Sequence, residues 1–357
     1  MSSIHFPQKR EENKMAKLRI GVIGCGSIAQ YRHLPEYALN KEVELVAVCD
    51  IVEDRVKEVA EKYNAKAFTD YKELIQSGEV DAISVCTPNY LHAPISIEGL
   101  TNGLHVLCEK PMATSQEEAD AMIEAANKSG KKLMIAHNQR FVRSHQLARQ
   151  LIESGTIGKI YSFRTAFGHP GPEGWSIDGR ESWFFEKEKA YIGAMGDLGV
   201  HKTDLLRYLL GEEIVEVGAF IETTAKDFAD VDDTAVCALK TESGIIGTLA
   251  ASWSYTAKED NSTIIYGEKA IIRLEDNPTY SLVVQYTNGE VVNYELGKIQ
   301  SNAEGGQNTT HVIDNFVASI VDNTEPLISG EEGMKSLAVI LAAIKSNDTK
   351  TIAKVFE

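Results

Sequence analysis

Apolar and polar positions divide the chain into two regimes. Through the first 136 residues, short apolar runs rich in β-branched side chains alternate with stretches whose apolar positions recur at helical spacing. The runs at 17–23, 43–49, 66–68, 80–86, 104–108 and 132–136 are predicted strands. Between them, 52–63 places Val52, Val56, Val59 and Ala60 on one helical face, 91–102 reads as a helix stopped by Gly103, and 115–129 opens with the capping box Ser115-x-x-Glu118. Six strands with helices between them imply an open, doubly wound, mostly parallel sheet.

Beyond Phe141 the alternation stops. A helix at 144–154 leads to a strand at 159–167, a loop rich in Gly, Pro and aromatic residues at 168–193, and a helix from about 197 to 210 closed by Gly211. Strands are then predicted at 214–224, 232–241, 245–255, 262–266, 270–274, 280–286 and 291–295, with hairpin turns at Glu242-Ser243-Gly244 and Asn288-Gly289. Strands in succession without helices make a large, mostly antiparallel sheet, and amphipathic helices at 310–322 and 331–346 close the chain. The expected organisation is a mobile leader over 1–16, with Met15 as an alternative start, an α/β domain over 17–138 and an α+β domain over 139–357. Antiparallel sheets commonly leave one face uncovered. Trp253 and Tyr255 belong either to such a face, as part of a self-association surface, or to the core.

Composition narrows the classes of function. The 357 residues suit two domains, and a net charge of −16 opposes binding to nucleic acid or to an anionic membrane surface. The five cysteines form no C-x-x-C pair, which points to reduced thiols, a cytoplasmic location and no structural metal. No run is long enough to cross a bilayer, and the first residues lack the apolar core of a signal peptide.

Ligands of doubly wound sheets bind beyond the carboxyl ends of the strands. Alternation alone therefore brings five stretches to one rim: Gly24 to Ala29, Asp50, Thr87-Pro88-Asn89, Glu109-Lys110-Pro111, and His137 to Arg140. The first is a dinucleotide turn. Gly24 reverses the chain tightly, Gly26 leaves room for a pyrophosphate, Ser27 and Ile28 start the helix that receives it, and Ala29 is small enough for close packing. Asp50, after the second strand, suits the ribose hydroxyls of adenosine and repels a 2′-phosphate. Ile51 follows where NADP sites more often offer Arg or Ser, so NAD is favoured over NADP. An Asp there is also a common helix cap.

On the same rim, Lys110 is placed to bind a substrate oxygen and stabilise developing alkoxide charge. Taken as a tripeptide, Glu109-Lys110-Pro111 reads more plainly as a lysine paired with Glu109. Pro111 admits a cis bond. Asp197 and His201 lie four apart on a predicted helix, close enough to touch, with His201 suited to proton exchange and Asp197 to orienting it. Spacing by itself equally fits a helix-start acid and a packed histidine.

These motifs, in this order, resemble the Gfo/Idh/MocA family of glucose-fructose oxidoreductases and inositol dehydrogenases, over residues 17–357. The resemblance rests on G-x-G-x-x-A at 24–29, Asp50, Thr87-Pro88-Asn89, Glu109-Lys110-Pro111, Asn138-x-Arg140-Phe141 and Asp197-x-Gly199-x-His201. It implies that His201 is the general acid/base, Lys110 the polarising residue and Asp197 a substrate-binding and orienting residue. The expected cofactor set adds His92, Asn138 and Arg140 to the rim residues, and the expected substrate set is Trp175, Arg180, Trp183, Asp197 and His201. Relatives often carry a glycine-rich run before the Asp, whereas this chain has Tyr191-Ile192-Gly193-Ala194-Met195-Gly196, so its pocket should differ in shape. The loop before it brings His169, Trp175, Arg180, Trp183 and Phe184, whose aromatic faces suit either sugar C–H surfaces or loop anchoring. The implied activity is NAD(H)-dependent hydride transfer at a secondary alcohol or ketone of a sugar, inositol or related polyol, in a homodimer or homotetramer built through the second sheet. Two other activities fit the family: a glycosidase that oxidises transiently with held NAD, and a sensor that binds dinucleotide without catalysis.

Overall fold

The computed structural model describes residues 16–297, 299 and 309–356, so the expected leader lies outside the described residues except for its last position. The first sheet contains β1 (Leu18–Ile23), β2 (Val43–Cys49), β3 (Lys66–Phe68), β4 (Ala82–Val85), β5 (His105–Cys108) and β6 (Leu133–Ile135). All pair in parallel, in the order β3-β2-β1-β4-β5-β6. Strand order reverses between β1 and β4, which opens a crevice at their carboxyl ends. Gly24 sits at that crevice with φ +91, and a Cβ there would come within 2.5 Å of the Cys86 carbonyl oxygen. Only glycine lets the turn pass so close to the neighbouring strand end.

The second sheet contains β7 (Ile160–Gly168), β8 (Ile214–Glu222), β9 (Thr234–Thr241), β10 (Ile246–Ser252), β11 (Thr263–Gly267), β12 (Ala270–Leu274), β13 (Leu282–Tyr286), β14 (Val291–Tyr294) and β15 (Ala353–Lys354). Its order is β14-β13-β12-β11-β7-β10-β9-β8-β15, antiparallel except where β10 meets β7. Helices Val200–Leu210 and Gly330–Thr349 contribute Leu205, Leu206, Val339 and Ile340 to the core on one side of this sheet. On the other side, alternate residues such as Phe220, Val236 and Ile246 stay exposed. The two-residue strand β15 is too short to carry a period that sequence could reveal.

The end of the chain returns to the first sheet. Helix Val312–Val321 packs Val312, Phe316 and Val317 into the core of that sheet, and the Ile135 amide donates to the Ile328 carbonyl beside β6. The loop after β7 folds back in the opposite sense. The Ile177 amide donates to Ser27 Oγ at 2.9 Å, and Ser27 Oγ donates to the Trp175 carbonyl at 3.2 Å. A hydroxyl in the dinucleotide turn thereby holds the aromatic loop over it. Among the described residues no helix is long and apolar enough to cross a membrane.

Candidate active site

Two cavities meet where these parts join. One, of about 580 Å³, runs along the strand ends of the first sheet past Gly24, Gly26, Asp50, Thr87 and Asn89. The other, of about 360 Å³, lies between the two sheets and is lined by Asn138, Phe167, His169 and His201. Glu109, Lys110, Trp175, Phe184 and Asp197 belong to both walls.

Lys110 is brought to this junction by β5, which ends two residues before it, and the bond between Lys110 and Pro111 is cis. Its Nζ donates to Asp197 Oδ1 at 2.8 Å and to the Asp197 carbonyl at 3.1 Å, and both side chains are largely buried. The expected Glu109 partner is engaged elsewhere: Glu109 Oε1 meets His33 Nε2 at 2.9 Å, and His33 Nδ1 meets Ser84 Oγ at 3.2 Å. Burial alone would raise the Glu109 pKa, but the His33 hydrogen bond, with the charges of His33, Lys110 and Arg32, pulls it down to about 2. Glu109 therefore remains a carboxylate beside the lysine. Removing either member of the Lys110–Asp197 pair would leave an uncompensated charge in a largely dry site.

The expected helix at 197 begins as a π-helical turn, Met195–Gly199, and becomes α-helical at Val200. Asp232 secures its start by accepting from the Gly193 and Met195 amides at 2.7 and 2.8 Å. Asp197 is spoken for on both oxygens, because Trp253 Nε1 donates to its Oδ2 at 3.1 Å. No hydrogen bond joins Asp197 to His201 among the described residues, so the expected orienting contact between them is replaced by a Trp253–Asp197–Lys110 chain. His201 packs against the Phe167 ring at 5.8 Å, and its Nδ1 is buried without a partner among the described residues. That leaves Nε2 for exchange with a ligand. Burial first, then the Lys110 charge, holds the imidazole pKa well below the ordinary histidine value, so His201 rests neutral.

Most of the expected cofactor residues lie along the larger cavity: Gly24, Gly26, Ser27, Ile28, Asp50, Thr87, Pro88, Asn89, His92, Glu109 and Lys110. Asp50 Oδ1 accepts from the Val52 amide at 2.9 Å in an Asx turn ahead of the helix Glu53–Tyr63, whose N-cap is Val52 and not Asp50, and its Oδ2 accepts from the Cys25 amide at 2.8 Å. Its carboxylate keeps further lone pairs for ribose hydroxyls. The cavity suits NAD on a second ground: Thr87 Oγ1 and Trp175 Nε1, both on its wall, are buried polar atoms without a partner among the described residues. Arg55 and Asp178, which sequence did not single out, close its adenosine end by pairing with each other, Arg55 lying 3.7 Å from Asp50.

Several expectations are corrected. Ala29 is sealed in the core, where its small size permits close helix packing rather than cofactor contact. His92 faces the cavity, but both ring nitrogens meet carbonyl oxygens, those of Pro111 at 2.7 Å and Thr87 at 2.8 Å, so it ties two rim loops together. Asn138 lines the smaller cavity rather than the cofactor cleft. Arg140 turns away from both and forks onto Asp204 at 2.8 and 2.9 Å, with Glu332 at 3.0 Å, joining the rim to the helix that carries His201. Arg180 is exposed, with its guanidinium 4.8 Å from the Phe228 ring, and lines neither cavity. Trp183 stacks on Phe184 at 3.9 Å and faces the cofactor cavity only. Of the expected substrate residues, Trp175, Asp197 and His201 remain at the smaller cavity. Trp253 is 1 % exposed and belongs to the core, not to the open face.

Known proteins match at every level. The family model described as an oxidoreductase family with an NAD-binding Rossmann fold matches residues 18–137, and that of the GFO/IDH/MocA C-terminal domain matches 145–273. Myo-inositol 2-dehydrogenase of Thermotoga maritima is 30% identical over 349 residues, covering 95% of this chain and 99% of that protein. Among solved structures, aldose-aldose oxidoreductase from Caulobacter crescentus superposes with a TM-score of 0.82 at 26% identity, covering 95% of this chain and 100% of that one. Levoglucosan dehydrogenase in complex with NADH and levoglucosan superposes with a TM-score of 0.81 at 25% identity, covering 95% and 99%.

Proposed function

The chain belongs to the GFO/IDH/MocA oxidoreductase family and uses NAD, and from that premise we propose that it transfers hydride at a secondary alcohol or ketone of a sugar, inositol or related polyol. The observation that carries this reading is the junction itself, where the bonded pair Lys110 and Asp197 lies on the wall shared by the two cavities. Bound NAD supplies the hydride acceptor or donor. The chain supplies position, charge and the proton path. In the oxidising direction the reacting carbon loses hydride and its hydroxyl loses a proton. Neutral His201 takes that proton at Nε2. Lys110, held by Asp197, donates a hydrogen bond to the same oxygen and stabilises its developing negative charge. Asp197 acts by fixing the lysine and by offering its remaining lone pairs to a substrate hydroxyl.

Two further parts of the reading concern the setting. The exposed face bearing Phe220, Val236 and Ile246 is read as the surface through which copies form a homodimer or homotetramer. Five free cysteines fit a cytoplasmic protein.

Incubation with NAD and a panel of polyols and sugars tests the activity through the absorbance of reduced nicotinamide. Net NADH is the expected result; release of sugar from glycosides without NADH, or tight NAD binding with no turnover, contradicts it. His201→Ala should lower kcat by about a hundredfold or more, the usual weight of a general base, with NAD affinity unchanged. A kcat within about threefold of the parent removes His201 from the mechanism.

A further inference from the structure

The smaller cavity carries information about the charge of what it binds. Among the described residues, three basic side chains on its wall, Arg32, Lys110 and Lys258, face four carboxylates, Glu36, Glu109, Asp197 and Glu259. Lys110 is bonded to Asp197, and Arg32 lies in the field of Glu109, Glu36 and Glu259. An anionic ligand would lose its hydration against a wall with no surplus of positive charge.

The uncharged polar groups add direction. His169, at the end of β7, is buried, and its Nδ1 accepts the Gly171 amide hydrogen at 2.9 Å. An accepting Nδ1 carries no proton, so the ring is the neutral tautomer with its hydrogen on Nε2, and an imidazolium would set two donors against each other. The amide is fixed in turn. Gly171 has φ +116, and a Cβ there would lie 2.7 Å from Lys226 Nζ, which itself donates to the Pro170 carbonyl at 2.7 Å. Across the rim, Asn138 Oδ1 is buried on the cavity wall without a partner among the described residues. A donor that cannot become a cation and an acceptor left vacant by the fold complement a hydroxyl, which both accepts and donates.

We propose that this cavity selects an uncharged, hydroxyl-rich ring over its phosphorylated or carboxylated counterparts, with His169 Nε2–H donating to a ligand oxygen and Asn138 accepting from a ligand hydroxyl. The proposal rests on the dehydrogenase reading, because it assigns this cavity to the substrate.

The test uses the full chain with NAD and compares kcat/KM for myo-inositol, D-glucose and levoglucosan with D-glucose 6-phosphate and D-glucuronate. The best neutral compound should exceed the best anionic one by about a hundredfold or more, since like-charge juxtaposition costs several kcal/mol. His169→Phe should raise KM for the neutral compound roughly tenfold, the weight of one neutral hydrogen bond, and by more than it lowers kcat. His169→Gln, which keeps a donor, should recover most of that loss. Nitrogen NMR of the histidines near neutral pH should show His169 as the neutral Nε2–H form, a readout independent of turnover. Equal or faster turnover of the anionic compounds overturns the selectivity and leaves the dehydrogenase reading intact. Unchanged KM in His169→Phe, or a cationic or Nδ1-protonated His169, overturns its role. Turnover of no compound overturns both readings together.

Discussion

The cofactor wall of the site is set by the ends of successive parallel strands, whereas the substrate wall is set by loops and by side-chain partners from separate elements. Along the first sheet, each contact residue sits at or just beyond the end of its own strand: Gly24 after β1, Asp50 after β2, Thr87 after β4 and Lys110 after β5. Backbone geometry fixes where they point, because a parallel sheet delivers every strand end to one rim. The opposite wall combines His169 after β7, Asp197 in a π-helical turn and His201 in the following helix, and Trp253 after β10 holds Asp197 from within the core. Their meeting depends on two loops, one buried ion pair and one indole. A wall of the first kind should tolerate substitution with graded loss of cofactor affinity. A wall of the second kind should fail by losing the rate.

That contrast can be tried from the strongest expected effect downward. Lys110 belongs to both walls, so Lys110→Met should remove the cation from the reacting oxygen and strand Asp197, lowering kcat/KM by about a thousandfold in steady-state assays. NAD affinity, read by titration, should fall far less. Asp50→Ala should do the reverse, weakening NAD by roughly tenfold to a hundredfold as charge-assisted ribose contacts are lost, while kcat at saturating NAD holds. NADP should gain relative to NAD in the same variant. Trp253→Phe retains the bulk and deletes one N–H to the Asp197 carboxylate. Its kcat/KM should fall by roughly tenfold, the weight of a hydrogen bond to a charged group. A purely structural indole would lower Tm without moving kcat/KM. Arg180→Ala should change nothing beyond about twofold, since its guanidinium packs on Phe228 outside both cavities.

The same contrast explains what could be read in advance. Strand periodicity, the Gly24-x-Gly26 turn and Asp50 are local signals, and the parallel sheet with its rim follows from them. Tertiary partners are not local. Trp253 lies 56 positions from Asp197, and nothing in its surroundings in sequence distinguishes an indole donor from a core aromatic. Arg140 matches a motif position yet turns to Asp204 and Glu332, because a motif specifies where a residue starts and not which way its side chain leaves. Asp197 and His201 have the spacing of helical neighbours, but the π turn and the pull of Lys110 and Trp253 direct the carboxylate elsewhere. His169 was visible as a loop residue, while its tautomer depends on the Gly171 amide, which only the folded loop supplies.

The central claim is that Lys110, from the parallel sheet, and His201, from the helix over the mixed sheet, act on one substrate oxygen. A crystal structure of the chain with NAD and a bound polyol tests it most directly. The account requires one ligand hydroxyl within hydrogen-bond reach of both Lys110 Nζ and His201 Nε2, with its carbon facing the nicotinamide ring. A nicotinamide ring lodged away from the junction, or a ligand whose nearest hydroxyl meets only one of the two side chains, would contradict it.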